Sequence, residues 1–170
     1  MRKGLWLSAF LAAVLFADGP VLKTGQTTVY KQGDDGTYQA GIAHSYARTN
    51  GVVTDVATGL QWQDDYSDNG GAVKDANWTE AMAYCDNLTL DGRSDWRLPS
   101  QKELRTLVDA GRINPAIDPG FVKAASSYYW SSTVFADKAS IAWIVYFYSG
   151  EDGADNKTNR NDVRCVRGGQ

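Results

Sequence analysis

The sequence predicts one α+β domain, and three features carry that prediction. Two segments open on helix-capping words, a series of short strand-type runs follows them, and one of those runs, Ala142 to Ser149, is apolar or aromatic in both of its alternating rows. Helices followed by a set of antiparallel strands is α+β order. The 170 residues suffice for one buried core and fall short of two comfortable ones.

Taken in order, Met1-Arg2-Lys3 is a basic start to an apolar run from Leu5 to Ala17, with small residues at Ala17-Asp18-Gly19. Residues 1–19 therefore read as a secretory signal peptide, too short in its apolar part to span a bilayer. No cysteine lies near it to take a lipid anchor, and no second run of membrane length follows, so the mature protein is expected to be exported (periplasmic, cell-surface or secreted) without membrane insertion. Residues 20–50 are polar and glycine-rich, with a turn at Gly33-Asp34-Asp35-Gly36, and read as an extended N-terminal arm ahead of a domain over 51–168.

Val52-Val53-Thr54 and Leu60-Gln61-Trp62-Gln63 form a hairpin pattern with Leu60 and Trp62 on one face. Asp64 to Asp75 is a polar loop. Asn77, with Glu80 three residues on, caps a helix whose apolar stripe is Trp78, Ala81, Met82, Cys85 and Leu88. Ser100 and Glu103 make a second capping box after Pro99, opening a short helix with Leu104, Leu107 and Val108 at helical spacing. Ile113 to Phe121 holds two prolines and reads as a wrapped loop, after which Tyr128–Thr133, Ala142–Ser149 and Val163–Val166 are the strands. Ser149 to Asp162, rich in Asp, Asn and Gly, reads as an irregular loop.

Successive side chains of a strand point to opposite faces. Trp143, Val145 and Phe147 are expected to face the core, leaving Ile144, Tyr146 and Tyr148 displayed. A displayed patch of that size on a soluble domain marks a binding surface, and irregular loops beside a rigid strand are where recognition residues sit.

Composition excludes several functions. A net charge of -3 and a pI of about 5.1 lack the basic field of a nucleic-acid binder. His44 is the single histidine, in the polar arm, which leaves no histidine-rich zinc site and no ready catalytic triad. Asp64, Asp65, Asp68 and Asn69 match no EF-hand spacing and read as a solvated acidic loop, as do Glu151, Asp152 and Asp155. Neither a metal nor another cofactor is expected. Cys85 and Cys165, the only cysteines, read as a disulfide in an exported chain.

The words TGLQWQD from Thr58, WTEAMAYCDNL from Trp78, DWRLPSQKEL from Asp95, YYWSST from Tyr128 and VRCVR from Val163 resemble the DUF1566 family, the C-terminal domain type of the Legionella collagen-like adhesin. More distantly, the helix word with RLP resembles the formylglycine-generating-enzyme group. The resemblance implies a C-type lectin-like fold with two short helices and antiparallel strands, in which a first-helix cysteine is bridged to one on the last strand, matching Cys85 and Cys165. It further implies a framework that diversity-generating retroelements target, with Trp130, Ser131, Ser132, Trp143, Val145, Phe147, Gly150, Arg164 and Cys165 held fixed.

On that resemblance the presented positions are Val134 to Ser140, including Phe135, Asp137, Lys138 and Ser140, together with Ile144, Tyr146 and Tyr148. Glu151 to Asn156, including Asp152, Asp155 and Asn156, and Arg160 complete the candidate ligand-binding set. The expected function is an exported, non-catalytic domain that binds an unidentified surface protein or glycan. The first alternative is an adhesin domain for sulfated glycans using Lys157, Arg160, Arg164 and Arg167. The second is an enzyme on a formylglycine-generating-type scaffold, whose metal-binding cysteine pair this chain lacks.

Overall fold

The computed structural model describes residues 21–168, so the signal-peptide segment at 1–19 lies outside the described residues. The elements run α1 (Asp35–Tyr38), β1 (Tyr46–Thr49), β2 (Val52–Asp55), β3 (Gln61–Gln63), β4 (Lys74–Ala76), α2 (Trp78–Asp86), α3 (Gln101–Arg105), β5 (Tyr128–Val134), β6 (Ile141–Tyr146), β7 (Glu151–Asn156), β8 (Asn161–Val163) and β9 (Val166–Arg167). They form a four-stranded sheet in the order β1-β2-β3-β9 and a five-stranded sheet in the order β4-β8-β5-β6-β7. All the strand pairs are antiparallel except β5 with β8. Among the described residues no helix is long and apolar enough to cross a membrane.

Both expected helices start where the capping words place them. Asn77 accepts from the Glu80 amide at 3.0 Å while the Glu80 carboxylate accepts from the Asn77 amide, and Ser100 and Glu103 repeat the exchange. The α2 stripe buries Ala81, Cys85 and Leu88, with Trp78 and Met82 half-buried. Val53 pairs with Trp62 as the hairpin requires, and Leu60 and Trp62 are both buried.

The five-stranded sheet is covered on both faces, which the single displayed row did not anticipate. Trp130, Ala142, Ile144 and Val163 pack with Ala81, Cys85, Leu88, Trp96 and Leu98 on the α2 side. Tyr129, Val145 and Phe147 pack with Leu104, Leu107, Ile117 and Phe121, and against Val53, Leu60, Trp62 and Val166 of the other sheet. Continuous apolar character along β6 thus reflects a sheet buried twice.

Three segments differ from expectation. The Asp- and Gly-rich stretch after Ser149 contains a six-residue strand, β7, which pairs with β6 along its whole length. Among the described residues only one side of β7 is hydrogen-bonded to a neighbouring strand, and its Glu151, Asp152 and Asp155 charges disfavour further pairing at that edge. Val163–Val166 is not one strand, because β8 lies in the five-stranded sheet and β9 in the four-stranded sheet, with Arg164 and Cys165 at the crossing. The stretch read as an extended arm curls and docks instead. Asp34 caps α1 and accepts from the Tyr30, Lys31 and Thr37 amides, Ala110 donates to the Thr24 carbonyl, and residues 46–49 form β1.

At the sheet crossing, Cys85 of α2 and Cys165 form a disulfide with a Cα–Cα distance of 5.5 Å, closing a loop of 80 residues. Beside it the Arg164 guanidinium is 1% exposed and donates to the carbonyls of Gln63 at 2.6 Å and Lys123 at 2.7 Å. It also meets the Asp64 carboxylate at 3.3 Å and lies over the Phe121 ring. Asp64 is therefore no solvated loop residue. It is fully buried, receives Arg48 at 2.7 Å, and accepts from the amides of Val122 and Lys123.

Candidate recognition surface

The open end of the α2-side face of the β5–β6–β7 ribbon is built of tyrosine. Register sets Tyr128 of β5 opposite Tyr146 of β6, and their rings stack at 4.2 Å between centroids with 20° between planes. Tyr148, two residues on, stacks on Tyr146 at 5.7 Å and 19°. The ladder is displayed, since Tyr128 and Tyr148 are 44% and 39% exposed and Tyr146 is half-buried. Its footing is fixed by the turn into β7. Gly150 donates to the Tyr146 carbonyl at 2.8 Å and Arg105 donates to the Gly150 carbonyl at 2.9 Å. Gly150 has φ +85°, and a Cβ there would fall 2.5 Å from Val108 Cγ1, so a side chain would collide.

Alongside the ladder runs a shallow groove of about 390 Å³ lined by Tyr128, Tyr146, Glu151, Asp152, Gly153 and Asp155, with Ile144 as its floor. The groove exists because Gly153, opposite Ile144, has no side chain to fill it. No basic side chain lines it. Asp155 is held in place by the side-chain amides of Asn159 at 2.7 Å and Asn161 at 2.9 Å. Glu151 is exposed, and Asp152 turns toward Arg105 at 3.3 Å.

The candidate residues do not form one patch. Tyr146, Tyr148, Glu151 and Asp152 gather at the ladder and Asp155 lies at the far end of the groove, whereas Phe135, Asp137, Lys138 and Ser140 lie in the β5–β6 loop at the other end of the ribbon, with Asn156 beside them. Six residues of strand separate the two ends by roughly 17 Å. Phe135 is half-buried on Trp143 at 5.2 Å, and the Ser140 carbonyl accepts from the Lys157 amide. The Asn156 side chain closes its own turn by accepting from Thr158.

Two of the set need correction. Ile144 is 5% exposed and belongs to the core with Trp130 and Val163, because the strand's α2-side row is covered at that point and emerges only at Tyr146. Trp143, expected in the core row, is only half-buried, while Val145 and Phe147 of that row are buried. Arg160 is exposed but committed, its guanidinium bonding Asp75 at 2.5 Å and Glu80 at 3.1 Å, and the Asp75 carbonyl at 2.6 Å.

The other basic residues near the C-terminus are engaged as well. Lys157 sits over the Trp78 ring at 4.0 Å, Arg164 is buried, and Arg167 pairs with Asp95 at 2.7 Å. The Asp95 carboxyl is held below its ordinary range chiefly by the hydrogen bond from Arg167. Asp162 is shifted the other way: burial, and then Asp75 directly across the β4–β8 pair, push its carboxyl up to about 6 against opposing help from Ser127 and Arg164. His44 stacks on Tyr46 and its Nδ1 lies 2.9 Å from the Tyr46 hydroxyl, remote in sequence and placement from the ladder. Among the described residues, no group of three or more His, Cys, Asp or Glu side chains is arranged to hold a metal ion.

Sequence reasoning missed Tyr128, and it included Gly153 in the presented range 151–156 without seeing that its missing side chain makes the groove. The signal for Tyr128 was its place in the same alternating row as Trp130, but only the β5–β6 register shows that it meets Tyr146. Gly153 carried no signal while its segment read as a loop.

Fold and surface together define a small disulfide-bridged α+β domain that displays a tyrosine ladder. The chain belongs to the Lcl C-terminal domain family, whose model matches residues 51–167. No curated protein matches it. The docked arm ahead of residue 51 falls outside the family match.

Proposed function

We propose that this chain is an exported, non-catalytic binding domain that holds a neutral or basic partner surface, protein or glycan, on the tyrosine ladder and the acidic groove beside it. The observation that carries the reading is the displayed stack of Tyr128, Tyr146 and Tyr148 on a doubly packed sheet. Tyrosine offers large contact area at low entropic cost, and its face attracts cations and apolar sugar faces. Glu151 and Asp155 add negative charge to the groove without a basic side chain to offset it.

Sulfated glycans fit less well, because Lys157, Arg160, Arg164 and Arg167 are each taken up by a ring or a carboxylate of the domain itself. Oxygen-activating cysteine chemistry has no thiol to use, since both cysteines are in the bridge. Retroelement diversification remains part of the proposal: of the presented positions, all but Ile144 and Gly153 have side chains at least partly exposed, so exchanging those leaves the core intact. A reverse-transcriptase gene with a near-copy of the region encoding Tyr129 to Arg167 in the adjoining DNA supports that point, and its absence removes it.

Arrays of neutral glycans, sulfated glycans, and basic and acidic peptides, probed with the parent protein and a Tyr146→Ala, Tyr148→Ala double variant, test the binding reading. The expected result is capture of a neutral or basic ligand by the parent and a loss of about 2 kcal/mol or more in the variant. Undiminished binding by the variant, or a preference for sulfated chains, overturns it.

A further inference from the structure

A second hollow lies away from the tyrosine ladder, where the docked arm meets α3. It has a volume of about 610 Å³, within the range of roughly 300–1,000 Å³ typical of small-molecule sites. One wall is the arm, with Leu22, Lys23, Thr24 and His44, and the other is α3 and the turn after it, with Lys102, Arg105 and Val108. The hollow is preformed by the docking. Ala110 donates to the Thr24 carbonyl at 2.7 Å, Lys23 donates to the Ile42 carbonyl at 3.0 Å, and Gly25, at φ +92°, abuts Asp109 so closely that a side chain there would collide.

The lining has one electrostatic sign. Lys23, Lys102 and Arg105 converge on it, and no carboxylate is among the described residues that line it. Asp109 and Asp118 line an adjoining smaller hollow of about 160 Å³ that shares Lys23 and His44 with the first, so Lys102 is the ammonium farther from their charge. Arg105 is partly compensated by Asp152, but among the described residues Lys23 and Lys102 form no ion pair. The Nδ1 side of His44 is taken by Tyr46, which leaves Nε2 for a ligand. The hydroxyls of Thr24, Thr58 and Thr106 donate to Asp35, Asp55 and the Glu103 carbonyl, so the charged donors are the lysines, and Leu22, Val108 and Ala110 supply an apolar floor. Uncompensated ammonium groups above an apolar floor are complementary to a ligand with an anionic head and a short apolar body.

We infer that the cleft between the N-terminal arm and α3 binds a small amphipathic carboxylate, its head on Lys23 and Lys102 and its body against Leu22, Val108 and Ala110. Arg105 and Val108 touch both sites, but Lys23 and Lys102 take no part in the tyrosine surface, so failure of this inference leaves that reading untouched.

Calorimetric titration of the full exported chain with sodium octanoate tests the assignment, with 1-octanol and octyltrimethylammonium as neutral and cationic matches. Octanoate is expected to bind saturably with a Kd below about 1 mM, and more weakly as salt rises. Lys23→Gln and Lys102→Gln are each expected to weaken it about fivefold without moving the melting temperature. Lys102 is exposed, so its variant decides the matter if the arm variant disturbs docking. Absence of saturable octanoate binding, equal binding of the neutral or cationic match, or an unchanged Kd in Lys102→Gln overturns the inference.

Discussion

Replacing Arg164 by Ala is the sharpest probe of how the two sheets are joined. The side chain is 1% exposed and spans the crossing between β8 and β9, where it satisfies the carbonyls of Gln63 and Lys123 and meets Asp64. Its removal orphans two carbonyls, each worth about 1–3 kcal/mol of desolvation when buried without a donor. Asp64 is not left bare, because Arg48 and the Val122 and Lys123 amides still hold it, so the full penalty of stranding a buried charge does not apply. Lost packing over Phe121 adds to the two carbonyls. The sum is about 3–7 kcal/mol. At roughly 2–4 °C per kcal/mol for a domain of this size, the melting temperature falls by roughly 10 °C or more. Urea unfolding followed by tryptophan fluorescence, with linear extrapolation, measures the loss. Arg164→Lys should recover little, since one ammonium cannot reproduce the guanidinium fork that reaches both carbonyls. A loss below about 1 kcal/mol in Arg164→Ala would refute the reasoning, because the carbonyls would then have other donors.

Cys85→Ala with Cys165→Ala should cost about 4–5 kcal/mol in the chain-entropy model for a loop of 80 residues, read by denaturant titration, and intact mass of the oxidised parent should show no free thiol. Ile144→Ala should destabilise by about 2–5 kcal/mol, whereas Tyr148→Ala should melt within a degree or two of the parent, a contrast that thermal unfolding checks directly. The Asp162 carboxyl is raised in the folded state, so its contribution to stability is present below the ordinary carboxylate range and is lost as pH rises through about 6. Asp162→Asn should accordingly melt above the parent at pH 8 and converge with it near pH 4; a variant less stable than the parent at pH 8 would place the Asp162 charge in a favourable setting instead.

Local chemistry made much of the fold legible. The Asn77 and Ser100 capping boxes start helices because they satisfy amides within one turn of chain, and no tertiary partner is needed to read them. The Leu60–Trp62 hairpin face and the α2 stripe follow from the same short-range periodicity. Segments whose structure depends on a distant neighbour were not legible. Strand β7 is poor in strand-forming residues and exists because β6 offers it a ladder, and Asp64 is buried because Arg164, 100 residues away, comes to meet it.

By itself the sequence determined the two capped helices, the Leu60–Trp62 hairpin face, the pairing of Cys85 with Cys165, and the presence of an aromatic row ending in Tyr146 and Tyr148. Tertiary structure alone decided where that row passes from core to surface, because α2 covers Ile144 and stops short of the tyrosines. It also decided which charges are free, since Lys157, Arg160, Arg164 and Arg167 find partners remote in sequence while Lys23 and Lys102 are brought to one cleft. Periodicity reports which face a side chain takes, and only packing reports what lies against that face.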